Sequence, residues 1–274
     1  MRAGIGDRLL ARVRELGSVA VAFSGGVDSA LVLAAAARAL PAGRALAVIA
    51  DSPSLARAEL EAARGVAAGL GVELAEVATA ELAVPGYRDN AGDRCYFCKQ
   101  AVLGAVGDLA LRRGFAHVAT GTHADDHRAL HRPGLRAARE LHVVEPLAEA
   151  GLGKDDVRAL AAAWSLPVAG KPSTPCLASR ISVGVPVSLG RLGLVERAEI
   201  AVRARLAEAG IRPGDLRVRL LGAGFRVEVD GPAHAAVEAR PGLAAAVVGE
   251  LGGLGLSGPG AVTVYRAPAL APPP

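Results

Sequence analysis

Apolar positions along the first part of the chain fall into two alternating kinds of run. Val19–Phe23 and Ala45–Ala50 are short and almost unbroken, the form expected of strands buried on both faces. Val72–Val77 and Phe115–Gly121 read as a third and a fourth strand. Between them lie longer stretches with helical spacing: Asp28–Leu40, Leu55–Leu70, and a helix opening at Cys95 and running to about Arg113. An amphipathic stretch, Ile5–Leu16, precedes the first strand, and Thr79–Arg94 is a polar excursion. Strand and helix in alternation predict an α/β fold, a doubly wound and mostly parallel sheet with right-handed crossovers. Leu141–Glu145 reads as a short fifth strand and Lys154–Trp164 as a further helix.

The pattern changes after Leu166-Pro167. Gly170–Gly190 is loop-like, with prolines at 172, 175 and 186, and places a domain junction there. The expected division is 1–167 and 168–274. A long amphipathic helix follows from Leu192 to Ala209. Leu216–Leu221 and Phe225–Val229 then read as a hairpin about Gly222-Ala223-Gly224. A helix near Leu243–Leu251 and a strand Ala261–Tyr265 complete a smaller α+β domain. The Pro-rich end, from about 267, reads as disordered.

Composition adds constraints. With 51% hydrophobic but only 3% aromatic residues, Ala, Val and Leu must build the core. Lysine occurs only as Lys99, Lys154 and Lys171, so nearly all of the 31 basic residues are arginine. The net charge of +4 is modest and scattered. It does not call for nucleic acid, and it suits an anionic nucleotide. No apolar run reaches the roughly 18 residues of a membrane span. The amphipathic start lacks a signal-peptide core, so the expected location is the cytoplasm, with no membrane partner.

The chemistry centres on Ala20–Ser29, AVAFSGGVDS. Strand, glycine turn and helix aim backbone N–H groups and a positive helix end at a phosphate. Gly25 and Gly26 allow close approach of the backbone, and Ser24 and Ser29 add hydroxyls. Asp28 would repel a phosphate unless it holds Mg²⁺ between them. Asp51-Ser52 follows the second strand, where an adenine or ribose would lie in such a sheet, or it caps the next helix. Gly121-Thr122-His123-Ala124-Asp125-Asp126 ends the fourth strand beside the glycine loop, and its Asp125 and Asp126 could hold metal or orient the nucleotide.

Cys95-x-x-Cys98 admits half of a zinc site, a redox pair, or two ligands of an iron–sulfur cluster. Cys176 is the remaining thiol, in a proline-braced loop between Lys171 and Arg180, either of which would lower its pKa on close approach. Arg217 and Arg219 alternate on a predicted strand, so both guanidiniums point to one face and could grip a phosphate. Glu199 could bind a cation or pair with a neighbouring arginine.

The SGGxDS turn resembles that of the pyrophosphate-loop ATP pyrophosphatases, which cleave ATP to AMP and pyrophosphate. Further stretches resemble one branch, the LarE-type ATP-dependent sulfurtransferases of nickel-pincer cofactor synthesis: ADSPSLARAEL, YRDNAGDRCYFCK, GTHADD with RPGL, EPLAEAGLGKDDVR, KPSTPCLASRI and RVR. The resemblance implies a small-molecule nucleotide substrate, pyridinium biscarboxylic acid mononucleotide. ATP would adenylate its carboxylate, and sulfur would replace AMP to leave a thiocarboxylate. It implies ATP and Mg²⁺ as cofactors, with Ser24, Gly25, Gly26, Asp28, Ser29, Asp51, Ser52, Gly121, Thr122, Asp125, Lys171, Arg180, Arg217 and Arg219 binding nucleotide or substrate. Sulfur would come from Cys176 itself, or from a 4Fe–4S cluster on Cys95, Cys98 and Cys176 fed by a sulfide donor. The three-cysteine count matches the cluster type. Glu199 would stand near a cation, and the chain would form a homo-oligomer. His123 and Ala169-Gly170 depart from the family pattern. Rival expectations are tRNA thiolation, amidation like that of NAD synthetase, and a non-catalytic nucleotide or iron–sulfur sensor. The chain shows no evident RNA-binding domain and no glutaminase segment.

Overall fold

The structure is a computed structural model that describes residues 3–128 and 133–266. Arg132 of the RPGL stretch and the expected disordered end lie outside the described residues. The chain divides into two compact units, Met1–Val84 with Cys95–Thr174, and Pro85–Arg94 with Pro175–Pro274.

In chain order the elements of the first unit are α1 (Ala3–Glu15), β1 (Val19–Ala22), α2 (Val27–Ala39), β2 (Ala45–Asp51), α3 (Arg57–Gly69) and β3 (Leu74–Ala78). The helix α4 (Pro85–Asp89) belongs to the second unit. After it come α5 (Arg94–Arg112), β4 (His117–Ala119), α6 (Pro133–Glu140), α7 (Pro146–Glu149) and α8 (Lys154–Ala163). The four strands are parallel in the order β3-β2-β1-β4, with Val19 opposite Ala45 on one side and His117 on the other. This is the expected α/β fold. Alternate residues of the strands pack on opposite faces. Val19, Val21, Ala47 and Ile49 join α1, α2, α3 and α8 in one core, whereas Ala20, Leu46 and Val48 meet Val106 and Ala110 of α5.

Helix α2 is apolar on every side. Val27 and all residues from Ala30 to Ala36 are buried, so it lies between the sheet and the outer helices α1 and α8. Its alanines permit that close packing without aromatic bulk. Because β2 and β4 flank β1, the chain changes direction across the sheet beside β1, and the carboxyl ends of β1 and β4 open on the same crevice. That is the ligand position in open α/β sheets.

The expected fifth strand, Leu141–Glu145, is reduced to a single bridge. Val144 pairs with Ala119, through Val144 N–H to Val118 O (2.9 Å) and Thr120 N–H to Val144 O (3.0 Å). The left-handed backbone of His142 (φ 51°) on one side and the helix opening at Pro146 on the other leave no room for more.

The second unit contains α9 (Leu189–Glu208), β5 (Leu216–Leu220), β6 (Phe225–Val229), α10 (Gly231–Glu238), α11 (Leu243–Gly253) and β7 (Gly260–Val264). The hairpin β5–β6 is antiparallel as expected, and β7 adds parallel to β6. Helix α10 was not expected. Its pattern is obscured by alanines, but Asp230 caps it by accepting the Ala233 N–H at 3.0 Å. Burial raises the Asp230 carboxyl pKa, but backbone N–H groups of Ala233, Asp215 and Gly214 outweigh it and hold the group below its ordinary value.

The compact units differ from the expected division in two places. The boundary falls between Thr174 and Pro175, and Pro85–Arg94 packs with the second unit. Asn90 explains the second difference. It is buried, its Nδ2 donates to the carbonyls of Ile181 (3.3 Å), Ser182 (2.8 Å) and Val185 (2.9 Å), and its Oδ1 accepts from Arg94 (2.7 Å). Its φ of 52° is left-handed, which asparagine tolerates better than most residues. Asn90→Ala should destabilise the second unit by about 2–4 kcal/mol, through lost bonds and backbone strain. Asn90→Gly should cost less, because it relieves only the strain. Denaturant midpoints followed by the near-ultraviolet signal of Tyr87 and Tyr265 check the order; equal midpoints for both variants would contradict it.

Candidate active site

The glycine loop sits at the carboxyl end of β1. Gly25 has φ +69°, and a Cβ there would stand 2.9 Å from the Cβ of Ala63 in α3, so both its conformation and its surroundings require glycine. The serines close the turn. Ser24 N–H donates to Ser29 Oγ (3.2 Å), the two hydroxyl oxygens are 3.1 Å apart, and Ser29 Oγ–H donates to the Gly26 carbonyl (3.2 Å). No side chain caps α2 at Gly26. The first-turn N–H groups of Val27, Asp28 and Ser29 have no acceptor within the helix and are therefore suited to an anion.

Gly121 meets this turn from β4. A Cβ on it would lie 2.6 Å from Ser29 N and 2.8 Å from the Asp28 carbonyl carbon. The second loop therefore packs backbone against backbone on the first. Thr122 is buried, with its hydroxyl 3.0 Å from that of Thr120. Asp126 accepts the His123 N–H (3.0 Å), and His123 Nδ1 is buried without a hydrogen-bond partner.

Asp28 carries a partner that sequence reasoning missed. Lys154 Nζ donates to both of its carboxylate oxygens, at 2.6 and 2.7 Å. Lys154 is held in turn by its own N–H, which donates to Asp125 (2.7 Å). Asp125 thus serves the start of α8 and also pairs with Arg128 (3.2 Å).

Lys171 approaches the loop from another side. Its Nζ donates to the Gly25 carbonyl (3.2 Å) and to Glu59 (2.7 Å). The ammonium expected to lower the Cys176 pKa is engaged on the glycine loop. One signal could have found Lys154. In a chain that uses arginine almost everywhere, two of three lysines touch this loop, where a compact charge fits better than a planar fork.

Asp51 pairs with Arg57, whose guanidinium also donates to the carbonyls of Ser52 (2.9 Å) and Leu55 (2.7 Å). The expected cap reading does not hold, since Ala56 stands at the cap of α3 without a side-chain bond. Ser52 Oγ instead accepts the Ser54 N–H (2.9 Å) and donates to Glu81. Glu81 is fully buried, and its Oε2 has no hydrogen-bond partner. Nothing in the polar excursion marked it beforehand.

Cys95 and Cys98 lie on the first two turns of α5, the former exposed and the latter partly buried. Burial lowers the pKa of Lys99, opposed in decreasing order by Cys98, Glu145, Asp126 and Cys95. The third lysine therefore stands beside the thiol pair.

In the second unit Cys176 is exposed, and Arg180 organises its turn. Arg180 is buried and donates to the carbonyls of Pro175 and Cys176 (3.3 Å for the latter) and to Ser179 Oγ (3.1 Å). Glu199 neutralises it through Nε (2.8 Å) and also accepts the Val218 N–H (3.1 Å). The cation beside Glu199 is thus a guanidinium, because a buried arginine requires a counter-ion. Arg217 and Arg219 share one face of β5, but each is already engaged. Arg217 stacks on Tyr265 (3.9 Å) with Asp215 at 3.8 Å, and Arg219 donates to Glu228 (2.7 Å) and the Ser179 carbonyl (3.0 Å).

Among the described residues, no three His, Cys, Asp or Glu side chains gather as a metal ion would require. No helix among the described residues is long and apolar enough to cross a membrane.

A family model described as asparagine synthase matches residues 3–89, the stretch holding the glycine loop. Fold and loop together define a pyrophosphate-loop α/β domain of the ATP-using kind. The chain is 41% identical over 189 residues to an uncharacterized protein, slr1717, of Synechocystis, covering 69% of this chain and 70% of that one. It is 32% identical over 196 residues to pyridinium-3,5-bisthiocarboxylic acid mononucleotide synthase of Lactiplantibacillus plantarum, covering 72% of this chain and 71% of the synthase. An uncharacterized protein of Methanocaldococcus jannaschii, MJ0830, is 29% identical over 114 residues, 42% of this chain and 44% of its own. The chain belongs to the family of the Lactiplantibacillus synthase. That membership and the pyrophosphate-loop domain support an enzyme with an ATP-dependent adenylating and sulfur-transfer role.

Gly121→Ala tests the loop packing. The added methyl would push the first turn of α2 off its seat, at a cost of about 1–3 kcal/mol. Nucleotide affinity should fall with stability, whereas Gly114→Ala, with open space around it but φ +74°, should lose stability alone. Titration calorimetry with ATP and thermal melts distinguish the two; unchanged affinity in Gly121→Ala would contradict the packing argument.

Proposed function

We propose that the chain activates a carboxylate of pyridinium-3,5-biscarboxylic acid mononucleotide with ATP and replaces the resulting acyl adenylate by a thiocarboxylate. The observation that carries this is the glycine loop, seated between α3 and the loop after β4 and bordered by two lysines. The first-turn N–H groups of α2 and the ammoniums of Lys154 and Lys171 supply donors and positive charge for a triphosphate. Asp28, an oxygen donor on this turn, suits Mg²⁺, which would neutralise charge on the departing pyrophosphate. Attack of a substrate carboxylate oxygen on the α-phosphorus breaks the α–β bond, releases pyrophosphate and forms the mixed anhydride.

The Cys176 thiolate, exposed on a turn fixed by Arg180, then attacks the acyl carbon and expels AMP. Loss of the Cys176 Cα proton with cleavage of its Cβ–S bond leaves the thiocarboxylate on the substrate and dehydroalanine at 176. A 4Fe–4S cluster on Cys95, Cys98 and Cys176 is the alternative sulfur source. It rests on the number and spacing of thiols.

Incubation with ATP, Mg²⁺ and the biscarboxylic mononucleotide should yield AMP and pyrophosphate in equal amounts, with one oxygen exchanged for sulfur in the product. Asp28→Asn should slow AMP formation by about 100-fold or more. Cys176→Ala should retain substrate-dependent pyrophosphate formation and lose the sulfur-bearing product. Release of ADP, or AMP formation indifferent to the carboxylate substrate, would overturn the reading. Iron and sulfide in the anaerobically isolated chain, with Cys176 intact after repeated turnover, would move the sulfur source to the cluster.

A further inference from the structure

We propose that Lys154 is a positioning residue that keeps Asp28 closed to a divalent cation until a triphosphate draws the ammonium away. The proposal rests on the reading above, that the first turn of α2 receives a triphosphate.

Both residues belong to the first unit and stand at helix starts. Asp28 is the second residue of α2, where the helix dipole and the free N–H groups favour a carboxylate. Lys154 is the first residue of α8, where the same field disfavours a cation. Local preference therefore accounts for the aspartate and not for the lysine. What holds the lysine is Asp28 itself, whose two oxygens accept from Nζ at 2.6 and 2.7 Å.

A divalent cation arriving alone meets an ammonium already in its place. Mg²⁺ takes one or two carboxylates and completes its shell with water and substrate phosphates. Among the described residues no three His, Cys, Asp or Glu side chains gather, so no such set helps Asp28 to hold the ion. A triphosphate changes the balance twice over. Its oxygens give Lys154 a new partner, and they supply the ligands that Asp28 lacks.

The lysine is built for that exchange. Its N–H donates to Asp125 at 2.7 Å, and Gly153 comes so near the same carboxylate that a Cβ would stand 2.8 Å from its Oδ2. The backbone is thus clamped, and only the side chain has to move. The side chains of Lys154 and Asp28 are 35% and 30% exposed, so water reaches the pair and it can part without opening the core. An ammonium has no planar fork to match again elsewhere, and its stem is flexible. Cation and nucleotide are thereby linked through one charged group, and the cation enters with the phosphates or after them.

The test is a titration of the metal-stripped full chain with Mn²⁺, without nucleotide, read by the electron paramagnetic resonance signal of the free ion. Lys154→Met should bind Mn²⁺ about fivefold or more tightly than the unmodified chain, the scale of a partly exposed ion pair. Lys154→Arg, which keeps the pair, should stay at the unmodified value. Adding Asp28→Asn to Lys154→Met should abolish the gain. Calorimetry with α,β-methylene ATP in EDTA reads the other half. Lys154→Met should weaken the analogue, and Asp28→Asn, which frees the lysine, should tighten it.

Equal Mn²⁺ affinity in Lys154→Met and the unmodified chain overturns the proposal. So does a gain that survives loss of the Asp28 carboxylate. Should Lys154→Met fail to fold, metal-free binding of the analogue that is no tighter in Asp28→Asn overturns it instead. Failure of the unmodified chain to bind the analogue, with or without Mg²⁺, would remove the triphosphate reading. The Mn²⁺ titration contains no nucleotide, so it judges the closure of Asp28 separately.

Discussion

Three backbones meet at one point of the first unit: the end of β1, the first turn of α2 and the loop after β4. Gly121 makes that meeting possible, because a methyl group on it would enter Ser29 and Asp28, and Gly25 in the same way lets Ala63 of α3 close on the turn. The close fit sets the first turn of α2 at the crevice where the sheet's strands diverge. It also sets how far Asp28, Thr122 and Asp125 stand from one another. The apolar, alanine-rich body of α2 supports it from beneath, since that helix is packed on every side and cannot tilt without opening the core.

Charge is arranged on this frame with economy of residue type. Lys154 and Lys171 reach the loop from the start of α8 and from the turn after it, and in this structure each holds a carboxylate, Asp28 or Glu59. Lys99 stands by the thiol pair of α5. A lysine ammonium exchanges partners readily because it has no planar fork to match. The arginines of the second unit act in the opposite way. Arg180 is bound at every side by carbonyls, a hydroxyl and Glu199, which suits a fixed support for the Cys176 turn. Arg217 and Arg219 keep internal partners too, so contact with a substrate phosphate requires exchange of Glu228 or displacement of Tyr265 stacking.

Much of this was legible in the chain itself. Short apolar runs and Ala-rich helices specified the parallel sheet, and AVAFSGGVDS specified the strand–turn–helix at its centre. What escaped was set by distant partners. The fifth strand shrank to one bridge because His142 and Pro146 close it from both sides. Pro85–Arg94 joined the second unit through the amide of Asn90, a pairing across some ninety residues that no local pattern announces. Lys154 and Glu81 were invisible for the same reason. Their importance lies in Asp28 and Ser52, far away in sequence. Glu199 could be read as a cation ligand or as the partner of an arginine near it on its helix, and the arginine it holds, Arg180, comes from the turn before that helix.

The central claim is that the first turn of α2 cradles a triphosphate and exposes its α-phosphorus to a carboxylate. A crystal structure of the chain with Mg²⁺ and α,β-methylene ATP tests this most directly. The account predicts phosphate oxygens within hydrogen-bonding distance of the N–H groups from Gly26 to Ser29, a cation on Asp28, and Lys154 released from that carboxylate. A nucleotide bound elsewhere, with Lys154 still closed on Asp28 and the turn empty, would contradict it.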